Sequence, residues 1–253
     1  MNDNLEIKNK SIEKAVKVLN CFTKKSELGV SEISEQLGLY KSNVHNILRT
    51  LKELDYIEQD EGTGKYRLGI GIFALSRALG DSYFITKIAM PYLQELSNIT
   101  NERVYLGVGH EDEVLYLESF YPTESFNLMR SLLGERAKMY CTGIGKAMLA
   151  FLQDDLIEEY ISKELISYTN YTITDKEVLR RELAEIRARG YSIDNMEHEY
   201  GIKCVAAPIF DKSHKVYAAV SISGPSLRFD EVRIKELSEL LKSYVNKIEK
   251  RIL

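Results

Sequence analysis

The chain has 253 residues, and a usual domain size of ~100–200 residues predicts two domains. Its hydrophobic fraction of 44% and charged fraction of 28% are ordinary for a globular protein. No apolar run approaches the ~18 residues of a membrane helix, and residues 1–10 contain no apolar signal core, so we expect a cytoplasmic protein with no membrane partner. The net charge is −4, and residues 1–70 hold 11 basic and 11 acidic side chains. Any DNA-binding role must therefore rest on local pattern, not on a general basic excess.

Residues 30–54 have the pattern of two helices joined by a tight turn. Ser31 and Ser42 are candidate N-caps, and Gly38 lies where a helix end favours a residue with positive φ. In the second helix, apolar residues recur at the spacing of a one-sided helix, at Val44, Ile47, Leu48, Leu51 and Leu54. The pattern predicts a helix-turn-helix, with an amphipathic helix over residues 12–22 packed beneath it.

The segment after these helices indicates a β-hairpin. Two β-prone runs, residues 56–59 and 65–68, flank a polar turn with Gly62 and Gly64. A hairpin directly after a recognition helix makes a winged helix, which binds double-stranded DNA. Asn43, Asn46 and Arg49 suit base edges, while lysine and serine suit phosphates. The full set of expected DNA-binding residues is Lys41, Ser42, Asn43, His45, Asn46, Arg49, Lys52, Lys65 and Arg67.

The remaining elements indicate a linker followed by an α+β domain. Residues 68–79 are too apolar for an exposed linker and predict a connecting helix with a self-association face. Six strand-like runs follow, including a hairpin over residues 103–119 and a third strand at residues 125–129. Helices are predicted at both ends, so we expect an antiparallel sheet. The expected boundaries are 1–68 for the winged helix-turn-helix domain, 69–82 for the linker and dimerisation helix, and 83–253 for the second domain.

Two local patterns in the second domain suit a ligand. Two glycines precede a helix in the segment Thr142–Lys146, which can expose backbone N–H groups to an anion, or can simply serve a turn. Ser221 and Ser223 point to one face of a strand, where their hydroxyls need either a polar ligand or main-chain carbonyls as partners. A small carboxylate fits best, with an aromatic or sugar-derived effector as the alternative.

Long stretches of both halves resemble the isocitrate-lyase-regulator (IclR) family of bacterial transcription regulators. The stretches are GVSEISEQLGLYKSNVHNILRTLKELDYIE, GERAKMYCTGIGKAMLA and GYSIDNMEHEYGIKCVAAPIFDKSHKVYAAVSISGP. The resemblance implies a regulator, more often a repressor, that binds a pseudo-palindromic operator as a homodimer or homotetramer and responds to a small molecule in a GAF-like C-terminal domain. It implies an effector site at Phe126, Met129, Ala137, Gly143, Ile144, Asp194, Cys204, Ser221 and Ser223, and no cofactor.

Two other interpretations of the same residues remain open. The three cysteines, Cys21, Cys141 and Cys204, form neither a disulfide framework nor a C-x-x-C zinc motif. Cys141, His198 and Cys204 could still make the chain a metal-responsive regulator, with His110 or His214 as a further ligand. Alternatively, an enzyme could use Cys204 as nucleophile, His198 as base and Asp194 to orient that base. The spacing of the possible metal ligands fits no known motif. The enzyme would need the fold to bring its three groups within hydrogen-bond reach, and nothing in the sequence activates the thiol, so we expect no enzyme activity.

Overall fold

The computed structural model describes residues 8–23, 25–82, 84–123 and 132–252. The chain forms two compact units, Met1–Tyr83 and Phe84–Leu253. In the described part of the chain, no helix is both long and apolar enough to span a membrane.

The first unit is a winged helix-turn-helix. Its described residues form three helices, a two-stranded antiparallel sheet and a fourth helix, namely α1 (Lys10–Cys21), α2 (Val30–Leu37), α3 (Lys41–Glu53), β1 (Ile57–Gln59), β2 (Tyr66–Leu68) and α4 (Ile70–Ser82). Its core packs α1–α3 and the hairpin around Val18, Ile33, Val44 and Leu48, all 0% exposed. Both Gly38 at the end of α2 and Gly64 in the hairpin turn have positive φ, as the sequence pattern requires.

The predicted N-caps are wrong by two residues in each case. Helix α2 is capped at Gly29, whose backbone N–H donates to Oε2 of Glu32 at 2.8 Å, and helix α3 begins after Tyr40. The helices therefore start earlier than Ser31 and Ser42, which lie inside their first turns. The apolar face expected for α1 is also only partly buried, since Ile12 and Val16 are 62% and 48% exposed.

The described residues of the second unit form a six-stranded, fully antiparallel sheet with helices on both faces. Its elements in chain order are α5 (Phe84–Thr100), β3 (Arg103–His110), β4 (Glu113–Phe120), β5 (Arg136–Lys138), α6 (Gly143–Leu149), α7 (Asp154–Ser162), α8 (Lys176–Arg189), β6 (Ser192–Asn195), β7 (Ile202–Phe210), β8 (Val216–Pro225) and α9 (Glu231–Ile252). Among the described residues the strand order is β5-β4-β3-β8-β7-β6. The predicted strand at residues 125–129 lies outside the described residues.

The two faces of this sheet bury different helices. Helices α5 and α9 pack against β3, β4, β7 and β8 on one face, whereas α6 packs against β6, β7 and β8 on the other. Helix α6 is buried throughout, and α8 covers it. Since side chains alternate between the two faces along each strand, every second residue of β3, β7 and β8 faces α6. We call this side of the sheet the α6 face.

Candidate functional site

The polar surface of the first unit lies on α3. The side chains of Val44, Leu48 and Leu51 are buried in the core, and the opposite side of the helix is exposed. The exposed side chains include those of all seven predicted DNA-binding residues of this helix, and also Thr50 and Glu53; the predicted ones are Lys41, Ser42, Asn43, His45, Asn46, Arg49 and Lys52. A helix of 13 residues whose exposed side carries nine polar side chains, only one of them acidic, has the shape and chemistry to enter a DNA major groove.

The β1–β2 hairpin, which is the wing of the winged helix, offers less unpaired positive charge to DNA than its sequence suggests. Arg67 on β2 donates to Oε2 of Glu58 on β1 through Nε and Nη2, at 3.1 and 3.0 Å. Lys65 is only half-buried. Because Glu58 already balances the charge of Arg67, a phosphate contact by this arginine would have to compete with an ion pair inside the hairpin.

Four strands bring a row of polar side chains onto the α6 face. Asp194 on β6 pairs with Cys204 on β7, and Cys204 pairs with Ser223 on β8. Ser223 in turn pairs with Arg103 on β3. Directly paired residues of an antiparallel sheet place their side chains on the same face. The row Asp194–Cys204–Ser223–Arg103 is therefore contiguous, although its members lie up to 120 residues apart in sequence.

The N-terminal end of α6 closes over this row. Oγ1 of Thr142 accepts from the backbone N–H of Gly145 at 3.1 Å and so caps the helix. A Cβ at Gly143 would lie 2.6 Å from Sγ of Cys204, so only glycine allows this close approach. Ser221 and Ser223 are buried, with their Oγ atoms 3.4 Å apart. Their hydroxyl groups therefore lie next to each other on the α6 face, and the Ser221 hydroxyl adds a polar group beside the row.

A buried charge network anchors Asp194. Its Oδ1 accepts from the backbone N–H of Glu197 at 2.7 Å. The Glu197 carboxylate forms an ion pair with Lys146 of α6, which is 1% exposed. Burial, together with the nearby charge of Glu197, raises the pKa of Asp194 to about 7. This carboxyl can therefore change protonation near neutral pH, and Lys146 ties the turn beyond β6 to α6.

The structure does not favour Cys141, His198 and Cys204 as a metal site, or Cys204 as the nucleophile of an enzyme. Nδ1 of His198 lies 3.8 Å from Sγ of Cys141. Burial raises the pKa of the Cys204 thiol, and it raises that of Cys141 to about 12, so neither thiol is activated. Within the described ranges, no group of three or more His, Cys, Asp or Glu side chains could hold a metal ion.

The predicted effector residues divide into three groups. Gly143, Asp194, Cys204, Ser221 and Ser223 come together at the end of α6. Ile144 and Ala137 belong to the buried apolar cluster beside them. Phe126 and Met129 lie outside the described residues.

Sequence reasoning missed Arg103, Tyr105 and Tyr116 on the α6 face, and it missed the buried pair Lys146–Glu197. The alternation Arg-x-Tyr at the start of β3 could have indicated that Arg103 and Tyr105 share a face.

A winged helix-turn-helix joined to an antiparallel sheet domain is an architecture of DNA-binding transcription regulators. The family model "Bacterial transcriptional regulator IclR C-terminal" matches residues 78–250, and "IclR helix-turn-helix domain" matches residues 11–61. The chain belongs to the IclR family of bacterial transcriptional regulators.

Similar proteins agree with this assignment. The HTH-type transcriptional regulator KdgR of Escherichia coli is 34% identical over 242 residues, which cover 94% of this chain and 90% of KdgR. The DNA-binding transcriptional repressor YiaJ of Escherichia coli is 31% identical over 226 residues, which cover 88% of this chain and 80% of YiaJ.

Solved structures share the fold over almost the whole chain. The Thermotoga maritima IclR has a TM-score of 0.80 at 33% identity, covering 96% of this chain and 98% of that one. An IclR homolog from Microbacterium hydrocarbonoxydans, complexed with 4-hydroxybenzoate, has a TM-score of 0.83 at 26% identity. The match covers 96% of this chain and 98% of that one.

Proposed function

We propose that the protein is a cytoplasmic repressor that binds a pseudo-palindromic operator and whose affinity for that operator is changed by a carboxylic acid bound on the α6 face. The observation that carries the DNA part is the polar side of α3. There, Asn43, Asn46 and Arg49 are exposed and make no side-chain hydrogen bond with any described residue. Asparagine reads adenine and arginine reads guanine through paired hydrogen bonds.

Two observations support the effector part. The row Asp194–Cys204–Ser223 is buried against α6, and the hydroxyls of Ser221 and Ser223 face the same space. Buried polar groups of this kind favour a polar ligand. A relative of the same fold was crystallised with an aromatic acid, 4-hydroxybenzoate.

Self-association through α4 completes the proposal. Ile70, Phe73 and Leu75 of this helix are 68%, 66% and 57% exposed. Exposed apolar side chains of this size on one helix favour burial against a second copy, and a symmetric dimer would match a palindromic operator. Light scattering distinguishes dimer from tetramer.

Selection of double-stranded DNA from a random pool by the purified protein tests the DNA part. We expect the selected sequences to share one pseudo-palindrome. Arg49→Ala should weaken binding to it by about 5- to 150-fold, the range for one lost base contact, and should leave binding to random DNA nearly unchanged. Lys212→Ala removes an exposed charge from the turn after β7 and serves as the control. Equal losses on selected and random DNA would contradict base recognition by Arg49.

A further inference from the structure

The turn between α2 and α3 presents an aromatic ring to solvent. Tyr40, the residue that precedes α3, is 82% exposed. Its side chain makes no hydrogen bond or ring contact with any described residue. Single exposed apolar side chains are common on protein surfaces, so the exposure alone indicates no function. The backbone that carries this ring and its place beside α3 are more informative.

The backbone on either side of Tyr40 is held by hydrogen bonds. The N–H of Leu39 donates to the carbonyl of Ser34 at 3.1 Å, and Oγ of Ser34 donates to the carbonyl of Leu39 at 2.6 Å. The carbonyl of Tyr40 accepts from the N–H groups of Asn43 and Val44, at 2.9 and 3.1 Å. Leu39 also packs against the core of the first unit. Because the turn is already ordered and a tyrosine has only two side-chain torsions, a contact by this ring costs little conformational entropy.

The charges of α3 favour its N-terminal end as the end that approaches DNA. Lys41 is exposed in the first turn, which contains no acidic residue, whereas the last turn combines Lys52 with the exposed Glu53. The helix dipole adds partial positive charge at the N-terminal end. In a helix-turn-helix, the N-terminal residues of the second helix contact base edges in the major groove. Tyr40 lies directly before those residues, so its ring comes next to the bases when α3 enters the groove.

The chemistry of the ring selects one feature of that groove. An aromatic ring cannot pair with the hydrogen-bond donors and acceptors of base edges. The C5-methyl group of thymine is the apolar group that base pairs present in the major groove, and apolar side chains contact it. Tyr40 therefore complements a thymine, next to bases that Asn43 is suited to read through its amide.

We propose that the ring of Tyr40 contacts the methyl group of a thymine in each half of the operator, which makes Tyr40 a specificity-determining residue. The inference rests on the proposed base recognition by α3 and extends it to a residue outside the helix. A methyl group buried against the ring contributes about fourfold in affinity. The hydroxyl is not needed for this contact, because the apolar ring supplies it.

Deoxyuridine in place of thymine tests the contact, because it removes only the C5-methyl group and leaves the hydrogen-bonding edge of the base unchanged. Each thymine of the selected pseudo-palindrome is replaced in turn, in both half-sites, and the affinity of the full chain is measured by fluorescence anisotropy. We expect one position at which the replacement weakens the wild type by about 15-fold, from about fourfold in each half-site. Tyr40→Ala should bind the thymine operator at least about fivefold more weakly than the wild type, and should be insensitive to deoxyuridine at that position.

Two further variants separate the ring from other effects. Tyr40→Phe keeps the ring and removes only the hydroxyl, and should keep both the affinity and the preference for thymine. Leu227→Ala removes an apolar side chain that is 97% exposed in the second unit, and is the matched control. The melting temperature of Tyr40→Ala and its binding to random DNA should stay near those of the wild type, because the ring is exposed.

Three results would overturn the inference: a selected operator without thymine, no position at which deoxyuridine weakens the wild type more than Tyr40→Ala, or a Tyr40→Phe variant as weak as Tyr40→Ala. The last result would assign the contact to the hydroxyl and a phosphate oxygen. Arg49→Ala is measured on the same DNA. A specific loss in Arg49→Ala without one in Tyr40→Ala would refute the inference and leave base recognition by α3 standing, whereas a selection that returns no shared sequence would refute both.

Discussion

Replacing Asp194 by asparagine should stabilise the second unit while weakening its ligand site. Asparagine has nearly the same shape and keeps an oxygen that can accept from the backbone N–H of Glu197, which now donates to Oδ1 at 2.7 Å. It cannot ionise, so it avoids the burial of a negative charge beside the Glu197 carboxylate. The gain should therefore depend on pH.

The sign and size of this gain in stability follow from the raised pKa of Asp194. Burial raises the pKa of Asp194 from 3.8 to about 7. The stability that this carboxyl contributes is therefore fully present below its unfolded-state pKa of 3.8 and is lost as the pH rises from there through 7. At about 1.4 kcal/mol per pKa unit, the loss is about 1.6 kcal/mol at pH 5 and about 4 kcal/mol at pH 8. Asp194→Asn should recover at most these amounts of unfolding free energy.

Calorimetric melting of wild type and variant between pH 5 and pH 8 measures this difference. At ~2–4 °C per kcal/mol for a unit of this size, the variant should melt at most about 8–16 °C higher at pH 8 and at most about 3–6 °C higher at pH 5. Asp155→Asn, at an exposed position in the first turn of α7, is the control and should change little. A lower melting temperature for Asp194→Asn at pH 8, or a gain independent of pH, would refute the reasoning.

Three further changes test other contacts. Gly143→Ala places a methyl group 2.6 Å from Sγ of Cys204 and should abolish the acid-induced shift in melting temperature, with operator binding retained. Lys146→Met leaves the Glu197 carboxylate buried without its partner and should cost about 3–5 kcal/mol in denaturant unfolding, with much of the loss recovered in Lys146→Met/Glu197→Leu. Phe73→Glu on the exposed side of α4 should shift light-scattering mass towards the single chain and weaken operator binding.

The helix-turn-helix could be predicted because its signals are local. The apolar spacing of Val44, Leu48 and Leu51 lies within one helix, and Gly38 ends the preceding helix in the left-handed conformation that the sequence suggests. The predicted N-cap positions were wrong because serine is common both at helix N-caps and in the first turn of a helix. In α2 a backbone N–H at Gly29 uses the Glu32 side chain instead.

The proposed effector site could be predicted only in part. Ser221 and Ser223 share a strand, so their common face follows from alternation alone. The pairing of Ser223 with Arg103 depends on strand register across 120 residues, which no local pattern specifies. Lys146 appears in a glycine-rich turn as an ordinary lysine, and only the fold shows that it is buried against Glu197.

The most direct test of the whole account is the affinity for the selected operator with and without the bound acid. Fluorescence anisotropy of labelled operator, titrated with the full chain, gives both dissociation constants. We expect tight binding to the pseudo-palindrome and a change of about 5- to 150-fold when the acid is added, the usual range for coupling between two sites. Equal affinity for operator and random DNA, or an operator affinity that the bound acid leaves unchanged, would contradict the account.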